Sequence, residues 1–446
     1  MFALQPAMAR AEEPPVAELP PVVVEAQAEP APPRRDAASE HHATGEQLRA
    51  RTYSRTGEFL EFAPGLIVTQ HSGEGKANQY FLRGFNLDHG TDLAIFVDGM
   101  PVNMRTHAHG QGYADINFII PELVAGMQVR KGPFFADEGD FATAGSLRLA
   151  LINRLEANFG QVTYGSFGYA RAVGAMSAPM GNGNVIAGLE IAGYNGPWER
   201  PDQLRRLNGM MRYVEGTPTD GLSITGMAYA GRWYATDQVA LRAINEGIIG
   251  RYGTLDPTDG GNVQRYSLSA NWARTGDYGT TRVNAYAIRS TLALFSNFTY
   301  WLYNPVNGDQ FEQRDRRWLM GGAIRHSVPT TTFGHESEFR VGLELRRDDI
   351  RLGLLNSTAR QVTSAVRLDA VQQSSAGLYA EVMTRWSPWL RTTIGARLDW
   401  MGGQVTSNNP LNSGTASQAM VNPKLGLVLG PWWQTEFFAN LGGGFH

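Results

Sequence analysis

The sequence predicts a mainly β protein, a transmembrane antiparallel β-barrel behind a small N-terminal α+β domain, and three observations carry that prediction. Beyond about residue 150, apolar and polar residues alternate in runs of about ten, the length at which a tilted strand crosses a bilayer. Short turns between these runs alternate with long polar connections. The composition is rich in Gly (51), Phe (20), Tyr (16) and Trp (10) with only 18% charge, and it contains no run of about 18 apolar residues that would cross a bilayer as a helix.

The chain is read in order from its start. Residues 1–9 end in a small-x-small pattern at Ala7 and Ala9 and resemble the tail of a secretory signal peptide. Residues 10–50 are rich in Pro, Ala and Glu without a hydrophobic period and are expected to be disordered. One island interrupts them, Leu19-Pro20-Pro21-Val22-Val23-Val24-Glu25-Ala26. Three valines have strong β propensity but no local partner, which suits a peptide that adds itself to another protein's sheet edge. A fortuitous valine cluster in a linker is the plainer alternative. Residues 51–151 change to short β-prone runs broken by Gly, Asp and Asn, a small α+β domain. Tyr53 to Phe62 predicts a short helix. Ala94 to Val97, Asp98-Gly99 and Met100 to Val102 predict a hairpin, because Asp-Gly tolerates the positive φ angles of a two-residue turn.

Residues 152–446 carry the alternation. In Leu390 to Trp400 the even positions are mostly apolar, whereas the odd ones are Arg391, Thr393, Gly395, Arg397 and Asp399. Phe339, Val341, Leu343 and Leu345 alternate with Arg340, Gly342, Glu344 and Arg346 in the same way. Such strands offer one face to lipid and the other to water. Short turns are expected near 180–183, 216–221, 275–279, 329–335, 387–389 and 430–433, and long loops near 234–262, 296–313, 351–372 and 401–420. Counting between them gives roughly 13 strands, an odd number for a bacterial barrel. The last run, Thr435 to Phe445, is still alternating, so a partial barrel is expected.

Composition excludes other classes. Cysteine is absent, which removes thiolate metal sites and disulfide frameworks. A net charge of -3 without a basic, aromatic-interleaved patch argues against a nucleic-acid partner.

Four motifs carry a resemblance. Leu82-Arg83-Gly84-Phe85, Ile95-Phe96-Val97-Asp98-Gly99-Met100-Pro101-Val102, Val129-Arg130-Lys131-Gly132-Pro133 and Gly139-Asp140-Phe141-Ala142-Thr143-Ala144-Gly145-Ser146 follow one another in the order and spacing of TonB-dependent outer-membrane receptors, whose plug domain they resemble. The resemblance implies that residues 51–151 are a plug. It implies a barrel of about 22 strands, of which roughly 13 are present, and a TonB box at Leu19, Val22, Val23, Val24, Glu25 and Ala26. It further implies a non-enzymatic importer in the bacterial outer membrane, its plug and N-terminus facing the periplasm. There the box would be pulled by the inner-membrane TonB complex. No resident cofactor is implied beyond a transported metal or metal chelate. The resemblance also assigns Arg83 and Lys131 to an ionic lock between plug and barrel glutamates, with Glu344 and Glu381 as partners by charge. Lys131 stands where the family usually has Arg, which keeps the charge but loses bidentate geometry.

Three plug loops, 70–75, 86–90 and 103–113, are expected to point outward. They hold His71, His89, His107 and His109, four of nine histidines, with Glu74, Asp88, Met104 and Tyr113. Neutral imidazole is a common ligand for zinc, copper and nickel, which makes these the candidate ligand-binding residues and His107-x-His109 the candidate metal pair. The alternative is that they hydrogen-bond plug to barrel. Phe85, Tyr113 and the loop aromatics Phe298, Tyr300, Trp301 and Tyr303 would equally stack on a saccharide, vitamin or catecholate. An outer-membrane receptor for such an organic ligand, a signal-transducing receptor and, more distantly, a secreted metal-dependent hydrolase are the competing functions. A passive porin would lack the four motifs.

Overall fold

The computed structural model describes residues 35–70 and 74–446. Residues 1–9, the stretch 10–34 with the expected box at Leu19 to Ala26, and His71 lie outside the described residues. The N-terminal domain contains β1 (His41–Thr44), β2 (Leu66–Thr69), β3 (Gln79–Leu82), β4 (Phe85–Asn86), β5 (Leu93–Val97), β6 (Met100–Pro101), β7 (Val124–Lys131) and β8 (Gly145–Leu151). Five of these form a sheet in the order β1-β7-β8-β5-β6, in which β5 and β8 run parallel; β2, β3 and β4 form a small antiparallel sheet. The expected hairpin is present: Val97 faces Met100, and Asp98 and Gly99 turn the chain at φ 52° and 82°.

Two expectations need correction here. Residues 41–49, counted with the disordered stretch 10–50, form β1 and a short helix α1 (Gly45–Arg49). β1 finds its partner some ninety residues away, His41 opposite Val129, a pairing that local composition does not carry. Thr44 then caps α1, its hydroxyl accepting from Gln47 N while the Gln47 side chain accepts from Thr44 N. The helix expected over 53–62 is a 3-10 segment, Thr56–Phe62.

The remaining chain is one antiparallel meander of 13 strands, β9 (Phe159–Tyr164) through β21 (Thr435–Gly442), each paired with its sequence neighbours. β9 and β21 are its two edges. Alternation sets the faces: along β19 (Leu390–Ser407), Ile394, Leu398 and Trp400 stand exposed while Arg397 and Asp399 are buried against the plug. All six short turns fall where expected. On the opposite side, the connections 235–259 and 297–310 are long, but the expected loop 351–372 is mostly strand. β17 (His335–Thr358) and β18 (Gln361–Ser387) run far past the other strands and meet across Ala359 and Arg360. The expected loop 401–420 is likewise strand to Ser407 and again from Gly414. Polar residues on both faces read as loop in the sequence, yet a two-stranded extension can be solvated on both sides and still satisfy its backbone.

The plug fills the concave face of this wall. One apolar core runs through Tyr80, Ile95, Tyr113, Ile116 and Phe118 of the plug into Met210, Trp233, Ile288 and Leu292 of the wall.

Candidate functional site

Of the expected loop 70–75, residues 71–73 lie outside the described residues. The plug loops 86–90 and 103–113 converge as expected, at the end of the wall with the long connections, and Asn103 joins them. Its amide donates to Gly90 O (2.9 Å), Leu93 O (2.8 Å) and Gly112 O (3.2 Å), while its oxygen accepts from Ile95 N (2.7 Å). The buried amide thereby ties the backbone of residues 90–95 to Gly112. Tyr113 accepts from Ala77 N (2.9 Å) and stacks on His107, ring centroids 4.1 Å apart and 8° from parallel. Tyr113 is buried, so it props the loops from beneath and offers no surface for stacking a ligand.

His89 and His109 meet tip to tip, Nε2 to Nε2, at 3.0 Å. The far nitrogen of His89 faces the carbonyls of Ala77 (3.1 Å) and Asn78 (3.0 Å). The far nitrogen of His109 lies 2.9 Å from Gln313 Oε1, and Gln313 Nε2 donates to Ala108 O (2.8 Å). His107, the expected partner of His109, turns away: its Nδ1 accepts from His109 N (3.2 Å) and its Nε2 points to Asp315 Oδ2 at 3.7 Å. Burial pushes the His107 imidazole down to about 3, with Asp315 opposing that shift. Burial, with Lys76 and His89 nearby, pushes His109 down to about 2. The rings are therefore neutral. Lys76 is itself buried, and its ammonium is pushed down by that burial. Among the described residues no group of three or more His, Cys, Asp or Glu side chains is arranged to hold a metal ion.

The wall contributes residues that the sequence reading passed over. On β16 (Phe311–Thr332), Gln313, Asp315 and Arg317 share the inward face. Arg317 is paired with Asp315 and donates to the plug carbonyls of Arg105 (2.6 Å) and Thr106 (3.1 Å). Arg346 donates to Asn103 O (3.0 Å). Polar residues at every second position of an expected strand were the available signal.

The expected ionic lock is not formed among the described residues. Arg83 sits exposed at the β3–β4 turn, at φ 53°, and Lys131 has a charged neighbour of its own sign in Arg83. Glu344 pairs within the wall, with Arg325 (3.0 Å) and Arg397 (2.9 Å). Glu381 does reach the plug, but accepts from Ala136 N (3.2 Å) and pairs with Arg340 (3.1 Å). The plug side of this region is built on Arg130, which pairs with Asp137 (2.8 Å), Glu138 (3.2 Å) and Glu40 (3.4 Å). Across to the wall, Asp137 faces Arg325 at 3.9 Å and Lys424 Nζ donates to Pro133 O at 2.7 Å. Further along, wall Arg171 grips plug Glu122 (2.6 Å), and wall Arg212 bonds plug Asp98. Plug carboxylates and carbonyls thus meet wall cations, the reverse of the expected polarity.

Phe85 is exposed, two residues after Arg83. Tyr300 braces two loops by donating to Gln238 O, whereas Trp301 and Tyr303 are exposed at the loop tip with Phe298.

Comparison with known proteins agrees with this architecture. A family model described as the TonB-dependent receptor plug domain matches residues 33–146, and one described as the TonB-dependent receptor-like β-barrel matches residues 193–446. The fold is similar to the ferric citrate transporter FecA in its unliganded form, at 13% identity and a TM-score of 0.74, covering 92% of this chain and 63% of that one. It is similar to the copper transporter OprC at 15% identity and 0.69, covering 91% and 63%. The ferric enterobactin receptor of Pseudomonas aeruginosa, a Q482A mutant with enterobactin, matches at 15% and 0.62, covering 91% and 62%. The chain thus spans somewhat under two thirds of these structures. With a plug model and a barrel model matched in order along a plug-filled antiparallel wall, the chain belongs to the TonB-dependent receptor family.

Proposed function

We propose that this protein takes part in energy-coupled import of a scarce nutrient, a metal ion or a metal chelate such as a siderophore, across the bacterial outer membrane. The observation that carries the reading is the plug itself, which occupies the space inside the wall and is bonded to it at both ends. A solute passes only if those bonds are broken, and work must be supplied to break them. The apolar outward face of the strands would lie in lipid, with the short turns toward the periplasm. The segment Leu19 to Ala26 would add as a strand to the TonB complex, which draws on the inner-membrane proton gradient. Similar folds named for ferric citrate, copper and ferric enterobactin transport support the nutrient class. No catalytic role is assigned.

The test is uptake in a Gram-negative host with and without TonB. Chain-dependent accumulation of iron, copper, nickel or zinc that disappears on deletion of TonB, or of residues 19–26, is expected. Accumulation indifferent to both deletions would show passive leakage and sink the reading.

A further inference from the structure

The outward face of the wall carries cations that the plug does not use. Asp315 and Arg317 turn toward the plug, so Arg316, Trp318, Met320 and Ile324 stand on the opposite face of β16, all exposed. On β17 the inward Arg346 and Asp348 leave Leu343, Leu345, Arg347, Asp349 and Arg351 outward. Register then sets the neighbours. Arg316 lies directly opposite Arg351, and Trp318 lies opposite Asp349 on one side and Arg289 of β15 (Gly279–Ser296) on the other. The three arginines line one hollow of about 510 Å³ together with Trp318 and Asp349.

Like charges directly opposite each other on adjacent strands destabilise the pair unless an opposite charge stands close. Asp349 is already engaged, with Arg347 at 3.2 Å. Arg314, the next cation along this face, is satisfied by Glu312 at 2.6 Å. Among the described residues the guanidiniums of Arg289, Arg316 and Arg351 have no hydrogen-bond or ion-pair partner, and Arg289 rests only against the Trp318 ring, 5.2 Å away. A guanidinium offers a planar fork of donors that matches a phosphate. Toward the short turns the same face becomes apolar: Met320 and Ile324 stand beside Leu345 and Leu343, with Leu378 of β18 next to them. An anion that carries acyl chains satisfies both parts at once, whereas a free anion gains nothing from the apolar part.

We propose that this hollow binds the headgroup of a phosphate-bearing lipid of the outer leaflet, with Arg289, Arg316 and Arg351 on the phosphate and the acyl chains along Met320, Ile324 and Leu345. The step rests on the reading above that the outward face lies in lipid with the short turns toward the periplasm, which puts the hollow on the outer side of the apolar band. Trp318 stands where the two parts join, the level at which an aromatic ring meets the headgroups. The site lies on the face of the wall opposite the plug, so it holds the protein's place in the membrane and takes no part in handling cargo.

The full chain, purified in detergent, is titrated with phosphatidic acid, with diacylglycerol of the same acyl chains and with inorganic phosphate, and bound species are followed by native mass spectrometry. Phosphatidic acid should bind roughly 10-fold or more tightly than either of the others. Arg316→Gln with Arg351→Gln should weaken it by on the order of 30-fold. Arg242→Gln with Arg251→Gln, which removes equal charge from exposed positions in the connection 235–259, should leave it unchanged. No preference of the unmodified chain for phosphatidic acid over diacylglycerol overturns the site, whether or not any variant folds. Equal weakening in the two double variants overturns it too, because overall charge rather than this hollow would then hold the lipid. Inorganic phosphate bound as tightly as phosphatidic acid would overturn the lipid and leave a free anion as occupant. Phosphate-lipid binding without TonB-dependent uptake would keep the site and remove the importer; TonB-dependent uptake without that binding would do the opposite.

Discussion

The plug is held to its wall differently at its two ends. Near the short turns, Arg130 gathers Glu40, Asp137 and Glu138, and the wall answers with Arg325 at 3.9 Å from Asp137 and Lys424 on Pro133 O. Near the long connections, charge is balanced within the wall by Asp315 and Arg317, and what crosses to the plug is a set of bonds to carbonyls and neutral imidazoles. The contrast separates two tasks. A buried charge network is strongly destabilised when one member is removed, because its partners are left uncompensated. At the other end, each guanidinium's charge is already balanced within the wall, so breaking its bonds to plug carbonyls leaves no charged partner uncompensated on the plug, which suits the end where a ligand would arrive.

Removing Arg130 should therefore produce the largest effect. Arg130→Ala strips three carboxylates of a shared partner and also the stacking over Phe135, 4.1 Å away. A loss of about 3–5 kcal/mol is expected, seen as a fall in the thermal unfolding midpoint of the detergent-solubilised chain. A loss no larger than that of a surface arginine would erase the distinction between the two ends.

Why the sequence pointed to Lys131 instead is a matter of strand geometry. Neighbours on β7 point to opposite faces, so Arg130 joins Gln128 on the side of Glu40, while Lys131 lies on the other side near Arg83. A motif locates the basic pair but not which member turns inward. The wall was legible because alternation of period two is a local property that survives folding unchanged. The short turns and the Asp98-Gly99 hairpin were legible for the same reason. Asn103 was not: its four bonds join segments that only the folded loops bring together, and one asparagine in a Gly-rich loop has no pattern of its own. The His89–His109 contact was hidden similarly, since spacing favoured His107 with His109, and only the converging loops bring residue 89 to residue 109.

Two plug carboxyls sharpen the comparison through pH. Burial pushes the Asp115 carboxyl, beside Tyr113 in the neutral region, up to about 6 from 3.8. Burial acts upward on Glu40 as well, yet the bond with His42 and the charge of Arg130 hold it at about 2, below 4.5. The signs are opposite. Asp115 is penalised when ionised, so its contribution improves as pH falls from about 6 toward 4; Glu40 stabilises above about 4.5 and loses that contribution as pH falls toward 2. Asp115→Asn should raise stability at pH 8 by on the order of 2 kcal/mol and abolish the gain on mild acidification. Glu40→Gln should lower stability at pH 8, and its deficit should shrink through the lower window. Unfolding midpoints at pH 8, 5 and 3 test both, and parallel curves for the two variants would mean that the ends do not differ electrostatically.

The smallest effect is expected at Gln313. Gln313→Ala removes the donor to Ala108 O and the acceptor for His109 Nδ1, two neutral bonds in a partly buried setting. The net cost should be about 1 kcal/mol, well under that of Arg130→Ala. Its chemical effect is larger than its energetic one. Without the carbonyl behind Nδ1, nothing from Gln313 holds the His109 proton at that nitrogen, and it exchanges to Nε2. Nitrogen chemical shifts of the histidine rings in the variant would report that exchange as a change of tautomer at His109 with His89 still protonated at Nδ1. An unchanged tautomer would mean that Gln313 does not set it, and that the neutral end of the plug is held by shape rather than by the direction of its hydrogen bonds.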